Sequence, residues 1–305
     1  MTLRISVLTL ACGLLLGGTA SAQQAYPTTD AAASALVAAL EARDKDPQQL
    51  ATVLGAGWEH YIPRDSVERK DVDAFVEKYH QQHAFASSDP THAMLSVGKD
   101  AWTLPIPVVK QPAGWAFDLK AAEPELRARR IGRNERDALE AVLAYYDAQK
   151  EYASRDRDDN GLPEYAKKFR SSEGKHDGLY WKADAAGQSP LGPLFAGEDT
   201  PDGVWHGYRY KILLAQGPSA PRGAYKYTVG QYMTRGFALV AWPADYGDSG
   251  VMSFMVSHAG EVFEKDMGPE TGRIAEAMTL FDPDSSWDEV DVSAPAAKAA
   301  KPAKR

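Results

Sequence analysis

Between Asp30 and Gly55, apolar residues recur at helical spacing and the run is interrupted at Pro47, which predicts two short helices. The segment Asp71–Tyr79, "DVDAFVEKY", predicts another helical turn or two, after which the pattern changes. From Met94 to Leu119 the chain reads "MLSVGKDAWTLPIPVVKQPAGWAFDL", rich in Val, Ile and Trp and broken at Lys99-Asp100 and at Gln111-Pro112-Ala113-Gly114. This predicts three antiparallel strands. Helices followed by a curved antiparallel sheet make an α+β N-terminal domain, expected to end at residue 128.

A stronger helix is expected to begin at Asn134, a residue suited to capping, because Ala138, Val142, Tyr145, Gln149 and Tyr152 recur on one face. A long Gly- and Pro-rich loop region follows, Arg157 to Asp202, of a length that is usually functional or pinned by something. Three strand candidates come next: "WHGYRYKILLA", "RGFALVAWPA" and "GVMSFMVSHAGEVFEKD". The last is itself a hairpin turning at His258-Ala259-Gly260. The expected class is therefore α+β: N-terminal helices with a curved antiparallel sheet over 23–128, then a long helix packed on an antiparallel sheet over 129–293. The Ala-, Pro- and Lys-rich tail 294–305 has no means of forming a core and is expected to be disordered.

The start changes the picture of where the chain works. "MTLRISVLTLACGLLLGGTASAQQ" places one Arg before a short apolar run that ends in Ala20-Ser21-Ala22. It reads as a secretory signal over 1–22, cleaved after Ala22. Its apolar core is too short to span a bilayer, and Thr9-Leu10-Ala11 is a poor match to a lipidation signal at Cys12. Cys12 is the chain's one cysteine and would leave with the signal, so the mature protein is expected to rely on its core, or on core plus metal. Losing Arg4 moves the formal net charge from −8 to −9, which argues against nucleic acid as a partner. A periplasmic or secreted location, with no transmembrane anchor in the mature chain, is expected.

Among the stretches that could carry chemistry, Gly247-Asp248-Ser249-Gly250 has the letters that surround a protease serine. No histidine sits in the setting that accompanies that motif, and the four residues are those a tight turn requires. "DRDDNGLPEY" is more informative. Asp156, Asp158 and Asn160 alternate before Gly161, as in the first half of a calcium loop, and Glu164 could close a shorter loop. Lys167 stands where an EF-hand needs its bidentate Glu, so a solvated acidic turn is the competing reading.

Arg129, Arg130 and Arg133, just before the expected helix start, are an anion candidate, or else they pair with nearby acids. His80, His83 and His92 are a weak zinc candidate without a general base. The acidic stretch Asp282–Asp291 reads as a turn anchored by Phe281 and Trp287. His176, Asp177, Tyr180 and Trp181 in "KHDGLYW" form an alternative cleft on a long loop.

Many blocks of the chain, among them "AYYDAQKEYASRDRDDNGLPEYAKKF", "GKHDGLYW", "SPLGPL" and "GFALVAWPADYGDSGVMSFMVSHAGEVFEKDMG", resemble a family of exported bacterial proteins catalogued as domain of unknown function 2950. The resemblance implies an envelope or secreted location and supplies no activity. The order helix, Asp-rich loop, "GYRYKI", "GFALVAWPA" and "SGVMSFMVSHAGEVFEKD" is similar to the globular αβ-roll of type IV pilins and pseudopilins, some of which hold calcium in a loop. The membrane helix of a pilin is missing and an extra domain precedes the roll. The N-terminal domain resembles nuclear-transport-factor or cystatin-like sheets.

No set of nucleophile, base and orienting residue stands out, so no catalytic residue is assigned and a non-enzymatic binding or assembly module is expected, with calcium its candidate cofactor. Its partner would be an unidentified envelope component, protein or polysaccharide. The alternative is a hydrolase or carbohydrate-binding protein acting on an envelope polymer, using His176, Asp177 or the acids from Asp156 to Glu164, with Trp181 and Trp205 as stacking platforms.

Overall fold

The computed structural model describes residues 23–63, 67–157, 161–185, 187–192 and 203–292. The expected signal, tail, Asp158 and Asn160 lie outside these residues. The class is α+β, and the chain divides into two compact units, one up to Leu126 and the other from Arg127.

In the first unit, α1 (Thr29–Glu41) is capped by Thr28, whose side chain accepts the Ala31 N–H. Pro47 precedes α2 (Gln48–Leu54), so the break expected there separates two helices. After α3 (Arg69–Gln81) come β1 (His83–Asp89), β2 (His92–Val97), β3 (Trp102–Thr103), β4 (Val108–Gln111) and β5 (Gly114–Phe117). They pair antiparallel in the order β1-β2-β4-β5, with β3 on β2. β1 was not expected: "HAFASSD" has no Val or Ile, and it is the register Phe85↔Leu95 against β2 that makes it a strand. Leu36, Leu50, Val53, Val108 and Phe117 form the core between helices and sheet.

The expected helix start at Asn134 is corrected. α4 is one helix, Leu119–Tyr152. Asp118 caps it by accepting the Ala121 N–H at 2.9 Å, and the run of Glu, Arg and Ala that follows favours helix. Pro124 is tolerated close to the start. Ala138, Val142, Tyr145, Gln149 and Tyr152 are all buried, as their spacing predicted.

The rest of the second unit contains β6 (Tyr208–Leu213), β7 (Ala215–Gln216), β8 (Tyr225–Lys226), β9 (Thr228–Val229), β10 (Tyr232–Met233), β11 (Ala238–Pro243), β12 (Met252–Ser257), β13 (Val262–Asp266), α5 (Thr271–Ala277) and β14 (Asp288–Glu289). The main sheet is antiparallel, ordered β14-β13-β12-β11-β6, and β7-β8 and β9-β10 make two small ribbons. β11 is buried at every position, which fits a central strand covered on both faces. Tyr145 ties α4 to it by donating to the Ala238 carbonyl at 3.2 Å.

Candidate functional site

The end of α4 and the loop after it are built around a buried amide. Gln149, fully buried, donates through Nε2 to the Ala166 carbonyl and accepts the Ala166 N–H on Oε1, both at 2.8 Å. The loop backbone is thereby satisfied as a strand partner would satisfy it. Two residues earlier, buried Glu164 accepts the Met233 N–H at 2.8 Å, and the Tyr165 N–H donates to the Met233 carbonyl at 2.8 Å. Glu164 is thus directed at the β10 backbone.

Further on, the chain folds back on itself. Leu179 N–H donates to Lys168 O, Tyr180 N–H to Phe169 O and Ser171 N–H to Tyr180 O. Gly178 permits this approach, since a Cβ there would lie 2.6 Å from the Arg170 carbonyl carbon. Asp177 is the clasp of the loop tip: it accepts the Ser172 N–H at 2.7 Å, the Lys168 ammonium at 2.7 Å and the Ser172 hydroxyl at 3.1 Å. Burial alone would raise its carboxyl, but these bonds to Lys168 and Ser172 hold it below the usual aspartate value. Tyr152, Glu164, Tyr165, Lys168 and Asp177 line a cleft of 310 Å³.

Tyr152 also donates to the His176 carbonyl at 2.7 Å. The His176 ring lies 4.5 Å from that of Trp181, and its Nε2 is 2.8 Å from Asp184. The Arg157 guanidinium sits over the Trp181 indole at 5.8 Å. The structure therefore brings the end of α4 and Arg157 against the "KHDGLYW" loop, Tyr152 through His176 and Arg157 through Trp181. Arg157 was not singled out in the sequence, where it is one basic residue in an acidic run. Trp181 is 6 % exposed, which leaves little indole face for a sugar to stack on, and Tyr180 is buried too.

Asp156 accepts the Gly161 N–H at 2.8 Å, and Gly161 takes φ +87°, so the first and sixth positions of the motif close on each other. Among the described residues no group of three or more His, Cys, Asp or Glu is arranged to hold a metal. The zinc expectation fails on geometry: His83 and His92 stand at opposite ends of the β1-β2 hairpin, and His80 pairs with Glu41 at 2.9 Å.

Arg129, Arg130 and Arg133 lie in the interior of α4, so the free N–H groups of a helix start are not at these positions. Arg130 instead pairs with Asp248 at 2.5 Å. It helps secure the Gly-Asp-Ser-Gly turn, where Asn134 donates to the Ser249 carbonyl at 2.8 Å and Glu135 accepts the Val251 and Met252 N–H groups. The Ser249 hydroxyl accepts the Asp245 N–H and donates to the Asp245 carbonyl, which makes it a turn residue. In the acidic C-terminal stretch, Phe281 and Trp287 are buried and Asp282 accepts the Ser219 N–H at 2.7 Å.

Fold and site together define an α+β protein whose second unit carries a cleft built from clasped loops. The chain belongs to the family described as protein of unknown function DUF2950, whose model matches residues 23–290. No curated protein and no solved structure matches it. No helix among the described residues is long and apolar enough to cross a membrane.

Proposed function

We propose that the protein is an exported cell-envelope module that binds its partner without catalysis, through the clasped loops of the second unit, and that calcium pins the Asp156 loop. The observation that carries this reading is how the polar groups at the cleft are used. Glu164 holds the Met233 N–H, and Asp177 holds Lys168 and Ser172. A general acid at neutral pH needs a raised carboxyl, and Asp177 is held low. These carboxylates fix the shape of a surface. For calcium, the supporting observation is the Asp156–Gly161 closure; Asp156, Asp158, Asn160 and Glu164 would supply the oxygens, one oxygen of Glu164 being shared with the Met233 N–H.

One contact favours the second reading, a hydrolase of an envelope polymer: His176 against Asp184 at 2.8 Å has the form of a base with its orienting acid. The experiment that separates the two incubates residues 23–305 with muropeptides and with envelope polysaccharide fragments and follows both binding and product release. Saturable binding with the fragments recovered intact supports the module. Turnover that disappears in His176→Gln or Asp177→Asn overturns it.

A further inference from the structure

Arg157 is a buried charge with too few partners. Its side chain is 5 % exposed. Nη2 donates to the Glu151 carbonyl at 3.1 Å and to the Glu151 carboxylate at 3.3 Å, while Nε and Nη1 are buried and have no hydrogen-bond partner among the described residues. An unsatisfied buried donor on a charged group carries a desolvation penalty that a fold normally removes. Trp181 answers the charge with its ring face but offers Nε and Nη1 no acceptor, its own indole N–H being given to the Gly187 carbonyl at 3.3 Å.

We propose that Arg157 is an anion receptor and that its ligand group is a carboxylate. The inference rests on the loop cluster being the binding site. The surrounding charges select the class. The Glu151 carboxylate stands 3.3 Å from Nη2, and Asp184 is held beside Trp181 through His176. The Glu151 charge repels an incoming anion, so a singly charged carboxylate is admitted at less electrostatic cost than a doubly charged phosphate. A carboxylate that meets these donors out of water forms the stronger, charge-assisted kind of hydrogen bond. Its source is either the C-terminus of a peptide or an acidic sugar, since both present the same group.

The test is the thermal melt of residues 23–305 with alanyl-alanine, galacturonate, their uncharged counterparts alanyl-alanine amide and galactose, and inorganic phosphate, at constant ionic strength. The parent and Arg157→Met are compared. Without ligand, Arg157→Met is expected to melt within about 4 °C of the parent, because a buried charge lacking partners adds little stability and a 1 kcal/mol change moves a domain of this size by ~2–4 °C. At least one carboxylate should raise the parent's midpoint by several degrees, its uncharged counterpart should not, and the shift should vanish in Arg157→Met. Which carboxylate acts identifies the source.

A variant that melts far below the parent without ligand would make the guanidinium structural and end the proposal. So would a phosphate shift larger than that of either carboxylate, shifts equal to those of the uncharged probes, or no shift at all. Muropeptide binding that survives in Arg157→Met would sink this assignment while leaving the wider binding function standing.

Discussion

The amide of Gln149 and the backbone of Ala166 pair as two strands would, N–H to Oε1 and Nε2 to carbonyl, both at 2.8 Å in a fully buried setting. This one side chain joins α4 to the loop that forms the cleft. Gln149→Leu removes both partners of Ala166 at once and leaves a buried N–H and C=O unpaired, each costing about 1–3 kcal/mol. We expect a loss of roughly 2–4 kcal/mol in urea unfolding. A loss under about 0.5 kcal/mol, the range of an ordinary surface change, would mean that the loop is held by other contacts.

His258 sets an acid limit. Burial first, then Arg222, lowers its pKa from 6.5, so the fold favours the neutral ring. Its contribution is present above the unfolded value of 6.5 and is lost as pH falls through the lower folded value. Tyr225 bonds its Nε2 at 3.2 Å, and Gly236 lies so near that a Cβ would come within 2.7 Å of Nδ1. The melting midpoint should fall on acidification below pH 6.5, and His258→Gln should flatten that part of the profile. An unchanged profile in the variant would assign the acid limit to another group.

Glu264 has the opposite sign from an ordinary surface carboxylate. Burial first, then the charges of Glu135 and Asp288, raises its pKa above 4.5. The folded state therefore favours the protonated form, a preference fully expressed below 4.5 and lost as pH rises through the folded value. Glu264→Gln keeps the shape and removes the charge, so it should raise the midpoint at pH 7 and leave it unchanged at pH 4. A variant less stable than the parent at pH 7 would show that the carboxylate makes a bond worth more than its burial costs.

For the Asp156 loop, calcium at about 100 times its dissociation constant should stabilise the protein by roughly 2.7 kcal/mol, and chelator should reverse this. Asp156→Asn and Asp158→Asn should each abolish the shift. Identical melts of the parent in calcium and in chelator would reduce the loop to an acidic turn.

What the sequence disclosed and what it hid follow from range. The α4 face from Ala138 to Tyr152 and the hairpin at Gly260 were legible because helical spacing and turn chemistry are local signals. The start of α4 was misplaced because Asn134 reads as a cap, whereas the helix is capped by Asp118 and runs through Asn134 without a break. β1 was hidden because its pairing with β2, not its composition, makes it a strand. In the site, "KHDGLYW" stood out through its residue types, but the clasp of Asp177 on Ser172 and Lys168 is a property of the folded loop. Arg157 was hidden for the same reason: its place over Trp181 joins residues far apart in the chain.

The most direct test of the binding account is hydrogen–deuterium exchange of residues 23–305 with and without saturating muropeptides. The account predicts that added protection concentrates in residues 161–191, around the clasped loops, and is lost when those loops are loosened by Gln149→Leu. Protection confined to residues 23–117, or none at a concentration where binding is measured independently, would contradict it.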